Sequence, residues 1–223
     1  MRPAEHHNDW VQFEADLSRE NRNRRSLTVG SADDTAVEAE FGEPYTNFMN
    51  FFAISGSTRK LSTNTAMLRV LSNIAQPVHS ISVFERLGDL PVFSPDLEMD
   101  PLPEPVQNFA EMIRQSDGLI ISSPEYVRAI PGGLKNAIDW MVSRDELINK
   151  PIALMHASHR GDDMLAQLRI VLSTVSSRFS DELFLRFDLM NKSPADIEAY
   201  LAYSEKRSAA ADFVTRFAAY CGQ

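Results

Sequence analysis

The chain holds only one cysteine, Cys221, among its 223 residues. A single cysteine excludes an internal disulfide and a cysteine-bound metal cluster, so we expect a cytoplasmic protein with no bound metal. No apolar run approaches the length that a membrane span needs, and the polar N-terminal residues show no secretory signal. These absences together predict a protein without a membrane segment.

Basic residues are also scarce, since 22 lysines and arginines stand against 31 acidic residues and give a net charge of −9. This acidic balance argues against nucleic acid as a partner. The imbalance is concentrated in residues 1–49, where ten acidic residues, five arginines and no lysine give −5. We therefore predict an acidic, partly disordered extension over residues 1–49 and one α/β domain over residues 50–223.

Apolar runs and amphipathic stretches alternate beyond residue 50, as in a chain whose strands are each followed by a helix. The predicted strands cover residues 51–55, 78–84, 118–122, 151–157 and 182–187. The predicted helices cover residues 64–75, 105–115, 133–143, 164–175 and 193 to about 220. Strict alternation with right-handed crossovers predicts a flavodoxin-like, doubly wound parallel sheet of five strands in the order 2-1-3-4-5. Strands 1 and 3 are then neighbours at a switch point, where a crevice opens.

A hydroxyl-rich loop over residues 55–65, Ser-Gly-Ser-Thr-Arg-Lys-Leu-Ser-Thr-Asn-Thr, connects the first strand to the first helix. Hydroxyl groups, backbone N–H groups and a helix N-terminus around one small volume, with Arg59 and Lys60 beside them, suit a phosphate monoester. The loop lacks the Gly-Lys-Ser/Thr of a Walker A motif and the three spaced glycines of a dinucleotide fingerprint. Taken alone, these residues are equally consistent with a plain helix cap.

A second loop follows the third predicted strand and begins Ser-Ser-Pro-Glu-Tyr-Val-Arg-Ala-Ile-Pro-Gly-Gly at residue 122, before Leu-Lys-Asn-Ala-Ile-Asp-Trp. The predicted topology brings both loops to the same crevice, which a simple helix cap does not require. Together with Asp-Leu-Pro-Val-Phe-Ser-Pro-Asp-Leu-Glu at residues 89–98, they resemble the NADPH-dependent FMN reductase family, which includes quinone, azo-dye and chromate reductases. The resemblance covers about residues 50–175.

The resemblance implies bound FMN, with its phosphate in the hydroxyl-rich loop and its ring against the Pro-Glu-Tyr loop. The implied cofactor-binding residues are Ser55, Ser57, Arg59, Ser62, Asn64, Thr65, Pro124, Glu125, Tyr126, Val127 and Ser158. Val127 departs from the pattern, because the family often has Asn at this position. No protein nucleophile is required, since the flavin carries the chemistry.

The loop after the fourth strand, His-Ala-Ser-His-Arg-Gly at residues 156–161, is expected to form the far wall of the crevice. The family usually has small residues over much of this stretch, so the two histidines and the arginine are departures. Arg128, His159 and Arg160 are candidate rim residues that would meet the substrate or a pyridine nucleotide. An ordinary solvated role for the two arginines is an equal alternative.

The resemblance implies an oxidoreductase that takes electrons from NADPH or NADH and reduces flavin, quinones or similar small acceptors. Because no second glycine-rich nucleotide unit is present, donor and acceptor are expected to use one crevice in turn, which predicts ping-pong kinetics. Two alternatives stay open, a flavodoxin-like electron carrier and a non-catalytic flavin-binding interaction module. The family places the stretch matching residues 90–98 at a subunit contact, which implies a homodimer or a homotetramer.

Overall fold

The computed structural model describes residues 47–99 and 101–223, so the predicted acidic extension lies outside the described residues except for its last three positions. The strands are β1 Asn50–Ser55, β2 Ser80–Phe84, β3 Gly118–Ser122, β4 Ile152–His156 and β5 Phe179–Arg186. The helices are α1 Thr63–Ala75, α2 Glu104–Gln115, α3 Gly132–Asp139, α4 Asp162–Val175, α5 Pro194–Ala202 and α6 Ser204–Cys221. Within this part of the chain no helix has both the length and the apolar character that a membrane crossing requires.

The five strands form one sheet in the order β2-β1-β3-β4-β5, and every pairing is parallel. The predicted flavodoxin-like order is therefore confirmed. Strands β1 and β3 end level with each other, because Ser55 pairs with Ser122 in the register. The loops that leave these two strands consequently start side by side at the carboxyl edge of the sheet.

Helices cover both faces of the sheet, and β1 divides its side chains between the two cores. Phe51 and Ala53 belong to the core formed with α1, α5 and α6, whereas Phe52 and Ile54 belong to the core formed with α2, α3 and α4. The ring of Phe51 lies 4.9 Å from that of Phe217. Each fully buried side chain of this size contributes about 1.5–3 kcal/mol. Strand β1 is thus held from both sides, which gives the loop at its end a rigid base.

The predicted last helix is wrong as a single element, because the chain is extended at Tyr203, between α5 and α6 (φ −58°, ψ 135°). No proline or glycine marks this break. The two segments bury separate apolar faces in the same core, Ile197 and Leu201 from α5 and residues such as Phe213 from α6. A change of direction allows both faces to pack on one side of the sheet. The start of α5 agrees with its sequence signal, since Ser193 is the N-cap.

Candidate functional site

A cavity of about 250 Å³ opens at the carboxyl edge of the sheet, beside the ends of β3 and β4. The loops after β1 and β3 touch above the sheet, where Gly56 N–H donates to the Ser122 carbonyl at 2.7 Å. A Cβ at Gly56 would come within 2.5 Å of Ser123 Oγ, so only glycine permits this approach. The residues lining the cavity are Thr63, Asn64, Ser123, Pro124, Glu125, His156, Ala157, Ser158, Arg160, Gly161 and Met190.

The hydroxyl-rich loop is held together by hydrogen bonds to its own hydroxyl groups. Ser55 Oγ and Thr65 Oγ1 lie 2.8 Å apart and share a buried hydrogen bond. Ser57 Oγ accepts the N–H of Arg59 at 3.3 Å. Ser62 is the N-cap of α1, and its Oγ accepts the N–H of Thr65 at 3.3 Å. The first two residues of α1, Thr63 and Asn64, line the cavity, so the helix begins at the cavity wall.

This arrangement leaves donors for a ligand. Ser57 and Ser62 are buried and each accept a backbone N–H, yet among the described residues neither hydroxyl donates to a protein acceptor. Arg59 and Lys60 are exposed beside them, without a carboxylate partner in the same part of the chain. Two hydroxyl donors, two cations and a helix N-terminus suit a dianion, so the residues present fit the phosphate of FMN.

Asn64 connects this loop to β3. Its Oδ1 accepts the hydroxyl of Ser122 at 2.8 Å, and the residue is 4% exposed. The hydrogen bond uses the carbonyl end of the amide, which leaves the NH2 group as a donor at the cavity wall. Asn64 therefore joins the two special loops and is not the cap of the helix, which is Ser62.

The Pro-Glu-Tyr loop forms a second wall, to which Pro124 and Glu125 contribute directly. Beyond them the chain reverses in a tight turn, where Tyr126 and Ala129 exchange two backbone hydrogen bonds of 3.2 and 3.0 Å. The two central residues of the turn, Val127 and Arg128, have positive φ angles of 52° and 59°. Tyr126 is half-exposed and Val127 is 98% exposed.

The loop after β4 forms the third wall and is organised by His156. Its Nε2–H donates to the Arg160 carbonyl at 2.5 Å, and burial lowers the pKa of the imidazole, so the ring is neutral at pH 7. Nδ1 is buried and has no hydrogen-bond partner in the described residues. Gly161 has φ +100°, and a Cβ there would lie 2.7 Å from Nε2 of His156, so both the backbone conformation and the position of His156 require a glycine at 161.

The three candidate rim residues differ in their pairing. Arg128 bonds Asp163 at 2.5 Å, and this hydrogen bond lowers the pKa of the Asp163 carboxyl. His159 bonds Asp188 at 3.0 Å, which lowers the pKa of Asp188 in the same way. Arg160 lines the cavity, and within the described residues its guanidinium has no carboxylate partner. Of the three, Arg160 is therefore the cation that is available to an anionic ligand.

Five residues with a predicted role line the cavity, namely Asn64, Pro124, Glu125, Ser158 and Arg160. Thr63 and Ser123 were missed, although each is a hydroxyl residue next to a predicted one. His156, Ala157 and Gly161 also line the cavity; they belong to the predicted far wall, but the sequence predicts no individual binding role for them. Met190, after β5, is in no motif, and the fold alone brings it to the site.

A doubly wound sheet of this order, with a phosphate-suited loop after β1 and a cavity beside the switch point, defines the flavodoxin-like class of mononucleotide-binding proteins. Comparison with known families narrows the class, because the family described as NADPH-dependent FMN reductase matches residues 49–184. The chain belongs to this family. Membership confirms the resemblance found in the sequence, and with it FMN and a nicotinamide donor as the cofactors of the family.

Individual relatives agree with this assignment. The chain is 37% identical over 112 residues to the NADH:(hydroxy)cinnamate reductase subunit CrdA of Vibrio ruber, covering 50% of this chain and 54% of that protein. It is 38% identical over 106 residues to the quinone reductase of Escherichia coli strain K12, covering 46% and 56% respectively. The chain thus spans about half the length of these relatives.

Among solved structures, the flavoenzyme NAD(P)H:(acceptor) oxidoreductase FerB from Paracoccus denitrificans is similar to the chain with a TM-score of 0.61 and 25% identity. The superposition covers 78% of this chain and 97% of FerB. The likeness extends over most of the described residues and supports the flavodoxin-like fold.

Proposed function

We propose that the chain is a cytoplasmic, FMN-containing oxidoreductase that takes electrons from NADPH or NADH and reduces flavin, quinones or similar small acceptors. The observation that carries the proposal is the meeting of the hydroxyl-rich loop and the Pro-Glu-Tyr loop at one cavity of about 250 Å³. FMN, when bound, supplies the hydride chemistry that side chains do not offer. The name of one relative, the quinone reductase of Escherichia coli, supports the class of acceptor.

Different residues are proposed to bind different parts of FMN. Ser57, Ser62 and Arg59 hold the phosphate through two hydroxyl donors and one charge-assisted bond. Asn64 offers its NH2 group between the phosphate loop and the ring cavity. Pro124, on the Pro-Glu-Tyr loop, and Ser158, on the loop after β4, both line that cavity and are the proposed contacts for the flavin ring.

The donor and the acceptor are proposed to use the same cavity in turn. Arg160 is the rim cation without a carboxylate partner in the described residues, so it is the candidate contact for a phosphate of the nicotinamide nucleotide. Alternating occupancy predicts parallel double-reciprocal plots when both substrates are varied. Intersecting plots would contradict alternating occupancy without affecting the flavin assignment.

The visible spectrum of the purified full chain tests the function. The spectrum is recorded with added FMN, before and after anaerobic addition of NADPH or NADH, with free FMN and the same donor as the control. Flavin bands that bleach faster than the control support the enzyme. Bands that persist contradict the proposed activity and favour an electron carrier. A chain that binds no FMN overturns the proposal and favours an interaction module.

We further propose that the protein assembles as a homodimer or a homotetramer through the segment at residues 90–98 and its surroundings. The segment is bound to α3 and the residue after it, because Asn136 Oδ1 accepts Phe93 N–H at 2.8 Å and Pro91 O accepts Trp140 Nε1–H at 2.7 Å. Pinned in this way, it presents Val92, 82% exposed, and the adjoining Met99, 76% exposed, to the surroundings. Apolar side chains on a rigid segment are typical of a subunit contact.

A further inference from the structure

The turn at residues 126–129 is strained at its centre. Tyr126 and Ala129 exchange two backbone hydrogen bonds, and the residues between them, Val127 and Arg128, lie in the left-handed region at φ 52° and 59°. That region suits glycine and asparagine, and a β-branched side chain is a poor occupant of it. Val127 is 98% exposed, so packing within the chain does not stabilise its conformation. The strain must be held by contacts made elsewhere in the turn.

Those contacts come from the first turns of α4. Arg128 Nε donates to Asp163 Oδ2 at 2.5 Å, and the Arg128 carbonyl accepts Gln167 Nε2–H at 2.9 Å. On the other side of Val127, Glu125 Oε2 accepts the backbone N–H of Met164 at 3.1 Å. The three bonds hold the chain at Glu125, two residues before Val127, and at Arg128, directly after it.

The hydrogen bond from Met164 to Glu125 also caps the start of α4. The N-cap of α4 is Gly161, which has no side chain to accept the first helical N–H groups. Glu125, from a loop about 40 residues earlier, supplies the missing acceptor at Met164. Because Glu125 also lines the cavity, the helix start and the cavity wall are parts of one hydrogen-bonded unit.

We propose that Asp163 and Gln167 are positioning residues, which clamp the strained 126–129 turn to α4 and so preset the cavity wall that receives the flavin ring. The proposal rests on the flavin-binding function proposed above. Without these hydrogen bonds the turn would relax toward negative φ values. Part of the free energy of FMN binding would then be used to restore the cavity wall, so the affinity for FMN would fall. In this proposal Arg128, which the sequence predicts as a nucleotide contact, mainly links the turn to α4.

The test compares the full-length Asp163→Asn/Gln167→Ala double variant with the wild type, with and without FMN. Two quantities are measured, the FMN dissociation constant from flavin fluorescence and the hydrogen exchange of the amides at residues 126 and 129. We expect the dissociation constant to rise about tenfold and exchange to quicken by a similar factor, while Asp163→Asn alone has a small effect because its ion pair is exposed. The control is Asp181→Asn, which removes the exposed pair that Arg169 of α4 makes with β5.

A second variant separates the clamp from general damage to α4. Asn tolerates the left-handed region, so Val127→Asn removes most of the strain that the clamp resists. In that background the double substitution should change exchange and affinity by less than about twofold. An undiminished effect would overturn the proposal, as would unchanged exchange in the double variant. Should the chain bind no FMN, the exchange measurement on the flavin-free protein still decides whether the clamp exists.

Discussion

Arg59 lies at the exposed edge of the hydroxyl-rich loop, beside the buried hydroxyls of Ser57 and Ser62. We expect Arg59→Ala to weaken FMN binding by about 1.5–3 kcal/mol, or roughly 10- to 150-fold, because one charge-assisted hydrogen bond is lost. The measurement is the dissociation constant from flavin fluorescence. Arg69→Ala is the matched control, since Arg69 is an exposed arginine of α1 that pairs with Glu85. An unchanged constant in Arg59→Ala would exclude the phosphate role.

His156 is expected to make stability depend on pH. Burial lowers its pKa in the folded protein, so the unfolded chain takes up a proton first as the pH falls. Its contribution is complete above the ordinary value of about 6.5 and declines below it by up to about 1.4 kcal/mol per pH unit, until the folded pKa is reached. His79, also with a pKa lowered by burial, acts in the same direction.

Chemical unfolding between about pH 7.5 and about pH 5.5 measures this slope, above most of the range in which carboxyl groups titrate. His156→Gln keeps an N–H donor for the Arg160 carbonyl but does not titrate, so its slope should be shallower than that of the wild type. Equal slopes in the two proteins would show that His156 is not protonated on unfolding.

The start of α5 is the clearest local signal among the helices. Ser193 Oγ accepts the N–H of Asp196 at 3.2 Å, and Asp196 Oδ2 accepts the N–H of Ser193 at 3.1 Å. We expect Ser193→Ala to lower the free energy of unfolding by about 1 kcal/mol, because a capping hydrogen bond is lost. Ser208→Ala, at an exposed position within α6, is the control and should have no such effect. Equal denaturation midpoints for both variants would contradict the capping role.

For the whole molecule, we expect a fragment of residues 50–223 to fold and bind FMN, because all five strands and every cavity residue lie within it. Its melting temperature should fall below that of a fragment beginning at residue 47. The reason is Met49, whose N–H donates to His79 Nδ1 at 3.2 Å and whose carbonyl accepts Ser80 N–H at 3.0 Å. Circular dichroism and the flavin-to-protein absorbance ratio measure both outcomes. If the fragment bound no flavin while the full chain did, the predicted domain boundary at residue 50 would be wrong.

Assembly is the other property of the whole molecule that can be measured directly. Light scattering at micromolar concentration should give at least a dimer for the wild type, and Val92→Glu/Met99→Glu should shift it toward the monomer, since two charges enter an apolar contact. Ile170→Glu, on an exposed face of α4, is the control and should leave the assembly unchanged. A monomeric wild type would contradict the proposed subunit contact.

The sequence by itself determined the order of elements, the sheet topology and the two loops that meet at the crevice. These follow from signals that are local in the chain, such as the apolar run of β1, the amphipathic spacing of α1 and the hydroxyl groups between them. Parallel strands with right-handed crossovers then allow very few arrangements, so local patterns were sufficient for the global order.

The tertiary structure alone decided which polar groups remain for a ligand. Asp163 hydrogen-bonds Arg128 and Asp188 hydrogen-bonds His159, from 35 and 29 residues away in the chain, so neither rim residue is left free for a ligand. The break at Tyr203 and the arrival of Met190 at the cavity are likewise set by packing on the sheet. Such pairings depend on the distance between side chains in the folded state, which spacing along the chain does not encode.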